Sequence, residues 1–181
     1  MHPADVAEHV ARSVEELRER VLAHPQLAVS RIDLVDGVDL FVHFNKKVWG
    51  ITASRQQIID PLTGRPVVME ARVIDLNPPT TVERVLGFNL DQYDARPPTA
   101  ELLDAARRPL PPDAWPREVG RQGIVRDHPA YGRPFFCRRG LREYHDHFQH
   151  EDDPWDCYRE GLALHTVVLE LLDDLRRRWT S

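Results

Sequence analysis

Only two cysteines, Cys137 and Cys157, stand among 181 residues. Two cannot make a disulfide framework, so both are expected as thiols, free to react or to ligate, in a reducing compartment. Long apolar runs are missing as well. None approaches the ~18 residues that cross a bilayer, and the start, Met1-His2-Pro3-Ala4-Asp5, has neither the basic nor the apolar region of a secretory leader. A cytoplasmic protein that does not enter a membrane is expected. Positive charge is also in short supply: 24 Lys and Arg stand against 29 Asp and Glu, for a formal charge of -5. With no basic stripe to neutralise phosphates, nucleic acid is not an expected partner. No internal repeat or low-complexity tract is present.

What the chain does have is proline, 15 in all, and a mean hydropathy of -0.48. Together these fit one folded domain over residues 1–181 with long connecting segments. Residues 1–24 carry Val6, Val10, Val14, Leu17 and Val21, spaced by four, four, three and four, which places one apolar stripe along a helix. His24-Pro25 ends it. Residues 27–76 read as antiparallel strands: Ile32 and Leu34, then Asp36-Gly37 as a turn, then Val38, Leu40, Val42 and Phe44 in strict alternation. Two more strands are expected around Trp49-Ile51 and from Val67 to Leu76, split by the turn signal at 60–64. Residues 77–134 hold Pro78-Pro79, Pro97-Pro98, Pro111-Pro112 and Pro116; long ordered loops with one short helix near 100–107 are expected there. Finally, residues 157–178 form a C-terminal helix on Leu164, Val168, Leu171 and Leu175, packed on the sheet. The fold class is therefore α+β, an antiparallel meander packed against N- and C-terminal helices.

Residues 135–150 concentrate the chemistry. Cys137, Glu143, His145 and His147 fall within eleven positions, and their side chains are of the types zinc prefers. The soft thiolate disfavours magnesium and calcium. On a helix, His145 and His147 would point about 200° apart, whereas a strand sends Glu143, His145 and His147 to one face. An extended segment, with a turn at Gly140 folding Cys137 back, is thus expected to make a metal site. Should Glu143 not ligate, it becomes a general acid or base beside an open coordination position. The alternative is a structural bend, acidic and His-rich through His150-Glu151-Asp152-Asp153, with Cys137 inert behind Phe135-Phe136. Cys157 is expected as a small buried residue beneath Trp155, His165 as a boundary residue on the last helix, His43 as solvated, and His128 as part of a loop.

The ordered set Cys137, Glu143, His145 and His147 resembles the signature of a predicted metal-binding family known by its C, E, H and H residues (CEHH). That family is associated with bacterial ubiquitin-like conjugation operons. The resemblance implies zinc at those four residues, with a ubiquitin-activating-like enzyme and a ubiquitin-like protein as partners. The overall order is also similar to that of ubiquitin-conjugating enzymes: N-terminal helix, meander, proline-rich stretch, His128-Pro129-Ala130-Tyr131, Cys137, Trp155, amphipathic helix. Here the chain has no His-Pro-Asn triplet before Cys137. That second resemblance implies a metal-free role, in which Cys137 is a catalytic nucleophile that accepts a ubiquitin-like C-terminus as a thioester, with His145 or His147 raising its thiolate fraction. A non-catalytic adaptor for an activating enzyme, binding through the proline-rich middle and the acidic bend, is the third expectation.

Overall fold

The computed structural model describes residues 3–48, 51–59, 65–74, 79–93, 95–116, 124–125 and 128–178. The chain divides into two compact units, Met1–Lys46 with Glu83–Thr180, and Lys47–Val82.

The first unit opens with α1 (Pro3–Leu22), whose predicted stripe is the buried one: Val10, Val14, Leu17 and Val21 are all core residues. Pro25 halts the helix, and a 3-10 turn at Pro25–Leu27 ends on Ala28 in the left-handed region. Strands β1 (Val29–Val35) and β2 (Asp39–Val48) then pair antiparallel, from Val35↔Asp39 outward. Asp36 and Gly37 both have positive φ, as a tight hairpin turn demands. Leu40, Val42 and Phe44 face the core. His43, on the opposite face, corrects the expectation of a solvated ring. It is fully buried, because Arg31, Asp33 and Glu83 close over it, with His43 Nδ1 2.8 Å from Glu83 Oε1.

The proline-rich stretch is also corrected, since strands occupy much of it and the segment near 100–107 expected as a short helix is mostly strand. Strands β5 (Thr80–Asn89) and β6 (Thr99–Asp104) pair from Asn89↔Thr99 to Arg84↔Asp104. The prolines punctuate these strands, and Pro97-Pro98 lead directly into β6. Glu101-Leu102-Leu103-Asp104-Ala105-Ala106 has good local helix propensity. Pairing with β5, and burial of Ala100, Leu102 and Leu103, override it. The four strands make one antiparallel sheet in the order β1-β2-β5-β6, an α+β layout as expected.

The second unit contains β3 (Ile51–Ile59) and β4 (Pro66–Ile74), paired antiparallel from Ile51↔Ile74 to Ile59↔Pro66. Trp49, Leu76 and the turn at 60–64 lie outside the described residues.

Back in the first unit, β7 (Ile124–Val125) pairs with β8 (Phe135–Phe136). A short α2 (Arg142–His145) follows, and then α3 (Leu164–Arg178). The last helix starts at Leu164 rather than at 157, because residues 155–162 are taken up by the 3-10 turn Trp155–Cys157 and by turns closed at Tyr158 O. The core joins Leu17 and its neighbours on α1, Leu86, Phe88 and Leu102 on the sheet, and Leu164, Val168, Leu171 and Leu175 on α3. Among the described residues no helix is long and apolar enough to cross a membrane.

Candidate functional site

Cys137 follows the buried pair Phe135-Phe136, so the sheet-like β8 delivers it to the rim of the core. Beyond it the chain must reverse within four residues to enter α2. Gly140 makes this possible. Its φ is +93°, and a Cβ there would lie 2.5 Å from Leu162 Cδ2 and 2.8 Å from Val167 Cγ2. Only glycine meets both demands. Arg138 ties the reversal to α3 through Glu170 and Asp174. The half-buried Cys137 thereby lines a cleft of about 260 Å³ with Arg138, Arg139, Tyr144, Leu162 and Glu170. Burial pushes its thiol above the ordinary value.

The segment after it is helical where an extended row was expected. Arg142–His145 form α2, with Asp146 N donating to Arg142 O at 2.8 Å. Its entry is anchored to the segment leading into β6, since Arg142 N donates to Pro98 O at 2.8 Å and Nε to Pro97 O at 3.1 Å. Those contacts favour a helical turn over a free strand. As a result, Glu143, His145 and His147 separate.

Glu143 is fully buried and clasps β6, accepting from Ala100 N at 3.1 Å and pairing with Arg133 at 3.2 Å. Burial outweighs those partners and raises its pKa to about 7. His145 is saturated by main chain: Nδ1 donates to Asp153 O at 2.8 Å and Nε2 accepts from Gly140 N at 3.3 Å. His147 Nδ1 accepts from Gln149 N at 3.3 Å, and its ring stacks on Phe135 at 5.9 Å. Among the described residues, no three His, Cys, Asp or Glu side chains converge on a point that could hold an ion. With both nitrogens of His145 committed and Glu143 enclosed with Arg133, the four residues do not fit zinc as a donor set.

The structure assembles a different group around the sulfur. His150 Nε2 lies 3.6 Å from Cys137 Sγ. The His150 ring stacks face to face on Tyr144, with centroids 3.8 Å apart and planes 16° from parallel. Asp153 locks that platform, accepting from Tyr144 Oη at 2.7 Å and from Arg139 Nη2 at 2.8 Å. Hydrogen bonds from Tyr158 and Tyr144, together with Arg139, hold the Asp153 carboxyl down to about 2. Burial and the nearby His147 keep His150 below the ordinary imidazole value. In the sequence His150 reads only as part of an acidic bend. It lies thirteen positions from Cys137, and no local period links the two.

His128 braces the site from below. It is buried, donating from Nε2 to Glu143 O at 2.9 Å and accepting at Nδ1 from Ala130 N at 3.0 Å. It also packs edge-on against Phe135, with centroids 4.6 Å apart. Cys157 is exposed rather than tucked under Trp155, because the 3-10 turn Trp155–Cys157 buries only its first residue. His165 reaches Glu16 of α1 at 3.4 Å.

Compared with known proteins, the chain matches no family model and no curated relative.

Proposed function

We propose that this protein is an acyl carrier in a ubiquitin-like conjugation pathway, with Cys137 as the residue that takes up the C-terminal carboxyl of a ubiquitin-like protein from an activating enzyme. The observation that carries the reading is the position of Cys137. It follows a four-stranded antiparallel sheet flanked by α1 and α3, stands after the His128-Pro129 loop, and lines a cleft as a half-buried thiol with His150 at 3.6 Å. That order supports the likeness to ubiquitin-conjugating enzymes more than a metal site does. The reaction is thioester exchange: the Cys137 sulfur bonds the acyl carbon, the bond to the donor cysteine breaks, and the donor leaves as a thiol.

Only groups already in place are needed. His128 and Glu143 fix the floor of the loop, Gly140 sets the reversal, and Arg138 pins it to α3. The raised thiol pKa calls for a proton acceptor at the sulfur.

The test is to incubate the chain with an activating enzyme, its ubiquitin-like partner and ATP, and to resolve products without reductant. An adduct that thiols cleave is expected with the native chain. Cys137→Ser should convert it to an ester that thiols leave intact, and Cys137→Ala should remove it. A thiol-sensitive adduct that persists in Cys137→Ala would rule the reading out.

A further inference from the structure

Resting on that reading, we infer that His150 is a catalytic residue, the proton acceptor for the Cys137 thiol during thioester exchange. The geometry is specific. Nε2 of His150 faces Sγ at 3.6 Å, within reach of an S–H donor, and the ring cannot swing freely because Tyr144 covers one face at 3.8 Å. Tyr144 is itself held by Asp153, and Asp153 by Arg139. The backbone fixes the turn as well, with His150 N donating to His147 O at 2.9 Å and Asp153 N to His150 O at 3.0 Å. The charged and titratable groups around the ring are Cys137, Tyr144, His145, His147, Asp153 and Arg139. His145, by contrast, has both nitrogens engaged by backbone and cannot take this part.

In the exchange, the Cys137 S–H proton passes to His150 Nε2 and the thiolate attacks the carbonyl carbon of the incoming thioester. A new C–S bond forms at Cys137 and the C–S bond to the donor sulfur breaks. The departing thiolate then recovers the proton from the imidazolium. No oxidant or further reactant is consumed.

The experiment uses the full chain carrying Cys157→Ser, with two probes at pH 7: iodoacetamide, and a peptide thioester ending in Gly-Gly. Modification of Cys137 is followed by mass spectrometry. His150→Ala should slow both reactions at least about tenfold, a bound set below the roughly hundredfold low end of what a positioned base contributes. Added imidazole should restore much of the rate. His150→Gln, which keeps polarity and bulk, should stay slow. Rates within about twofold of the parent for both probes would overturn the assignment. So would a slow His150→Ala protein that imidazole does not rescue, since its defect would be structural. If iodoacetamide shows the loss and rescue while the parent protein takes no acyl group from the thioester, His150 still acts as the thiol's proton acceptor. In that case it is the conjugation reading that fails.

Discussion

His145 and His150 are five residues apart in one bend, yet they inhabit opposite chemical situations. His145 is spent on architecture, with one nitrogen donating to Asp153 O and the other accepting from Gly140 N. His150 makes its closest polar approach to a sulfur, and its face is fixed by an aromatic ring rather than by main chain. An imidazole with both nitrogens bound to backbone cannot exchange protons or take a metal without dismantling the turn it closes. One aimed at a thiol is available for chemistry. Glu143 belongs with His145, since its carboxyl is consumed by Ala100 N and Arg133.

The largest effect expected from testing this contrast comes from the turn both histidines depend on. Gly140→Ala forces a side chain onto Leu162 and Val167 at positive φ. It should destabilise the fold by roughly 3 kcal/mol or more, from overpacking combined with backbone strain. Urea unfolding would measure it, and a loss below about 1 kcal/mol would show that the loop can rearrange.

Glu143→Ala comes next, at about 3 kcal/mol, because it leaves the buried Ala100 amide without its acceptor and the Arg133 guanidinium with Glu101 alone. Glu143→Gln has a sharper signature. The folded protein holds the Glu143 proton up to about 7 while the unfolded chain releases it near the ordinary carboxyl value of 4.5. Its contribution is therefore full below about 4.5 and is lost as pH rises through about 7. The glutamine variant should lack that part of the slope in melting temperature against pH; an unchanged slope would place the proton elsewhere.

His145→Ala should cost about 2 kcal/mol for its two backbone bonds, while Cys137 alkylation in the folded protein keeps its rate. If the rate instead falls as far as in His150→Ala, the two rings are not distinct in role. The smallest expected effect is that of metal removal. Since His145 and Glu143 are committed, the purified chain should hold less than about a tenth of an equivalent of zinc. Chelation should likewise move its melting temperature by under about 1 °C. Stoichiometric zinc by elemental analysis would restore the four-residue site.

These contrasts separate what a local pattern can encode from what it cannot. The stripe Val10, Val14, Leu17, Val21 and the alternation Leu40, Val42, Phe44 were legible because side-chain direction follows from helix and strand periods alone. The segment around β6 was not. Its helix-prone residues extend because β5 offers a ladder, and a partner far along the chain leaves no mark on local spacing. His43 misled for the same reason: alternation places it on the outer face, but whether that face is wet depends on Arg31, Asp33 and Glu83 arriving from other strands and neighbouring positions.

The sequence by itself determined the α+β class, the hairpin at Asp36-Gly37 and both long helices, and it drew attention to the stretch that holds the candidate site. Only tertiary structure decided which residues of that stretch share a site. A period-two row from Glu143 to His147 presupposes extended backbone, and the hydrogen bonds of Arg142 to Pro97 and Pro98 coil it instead. Short-range periodicity fixes where a side chain points relative to its neighbours. Which distant group it meets is set by how the elements pack, and that packing brings His150, rather than the row, to the sulfur.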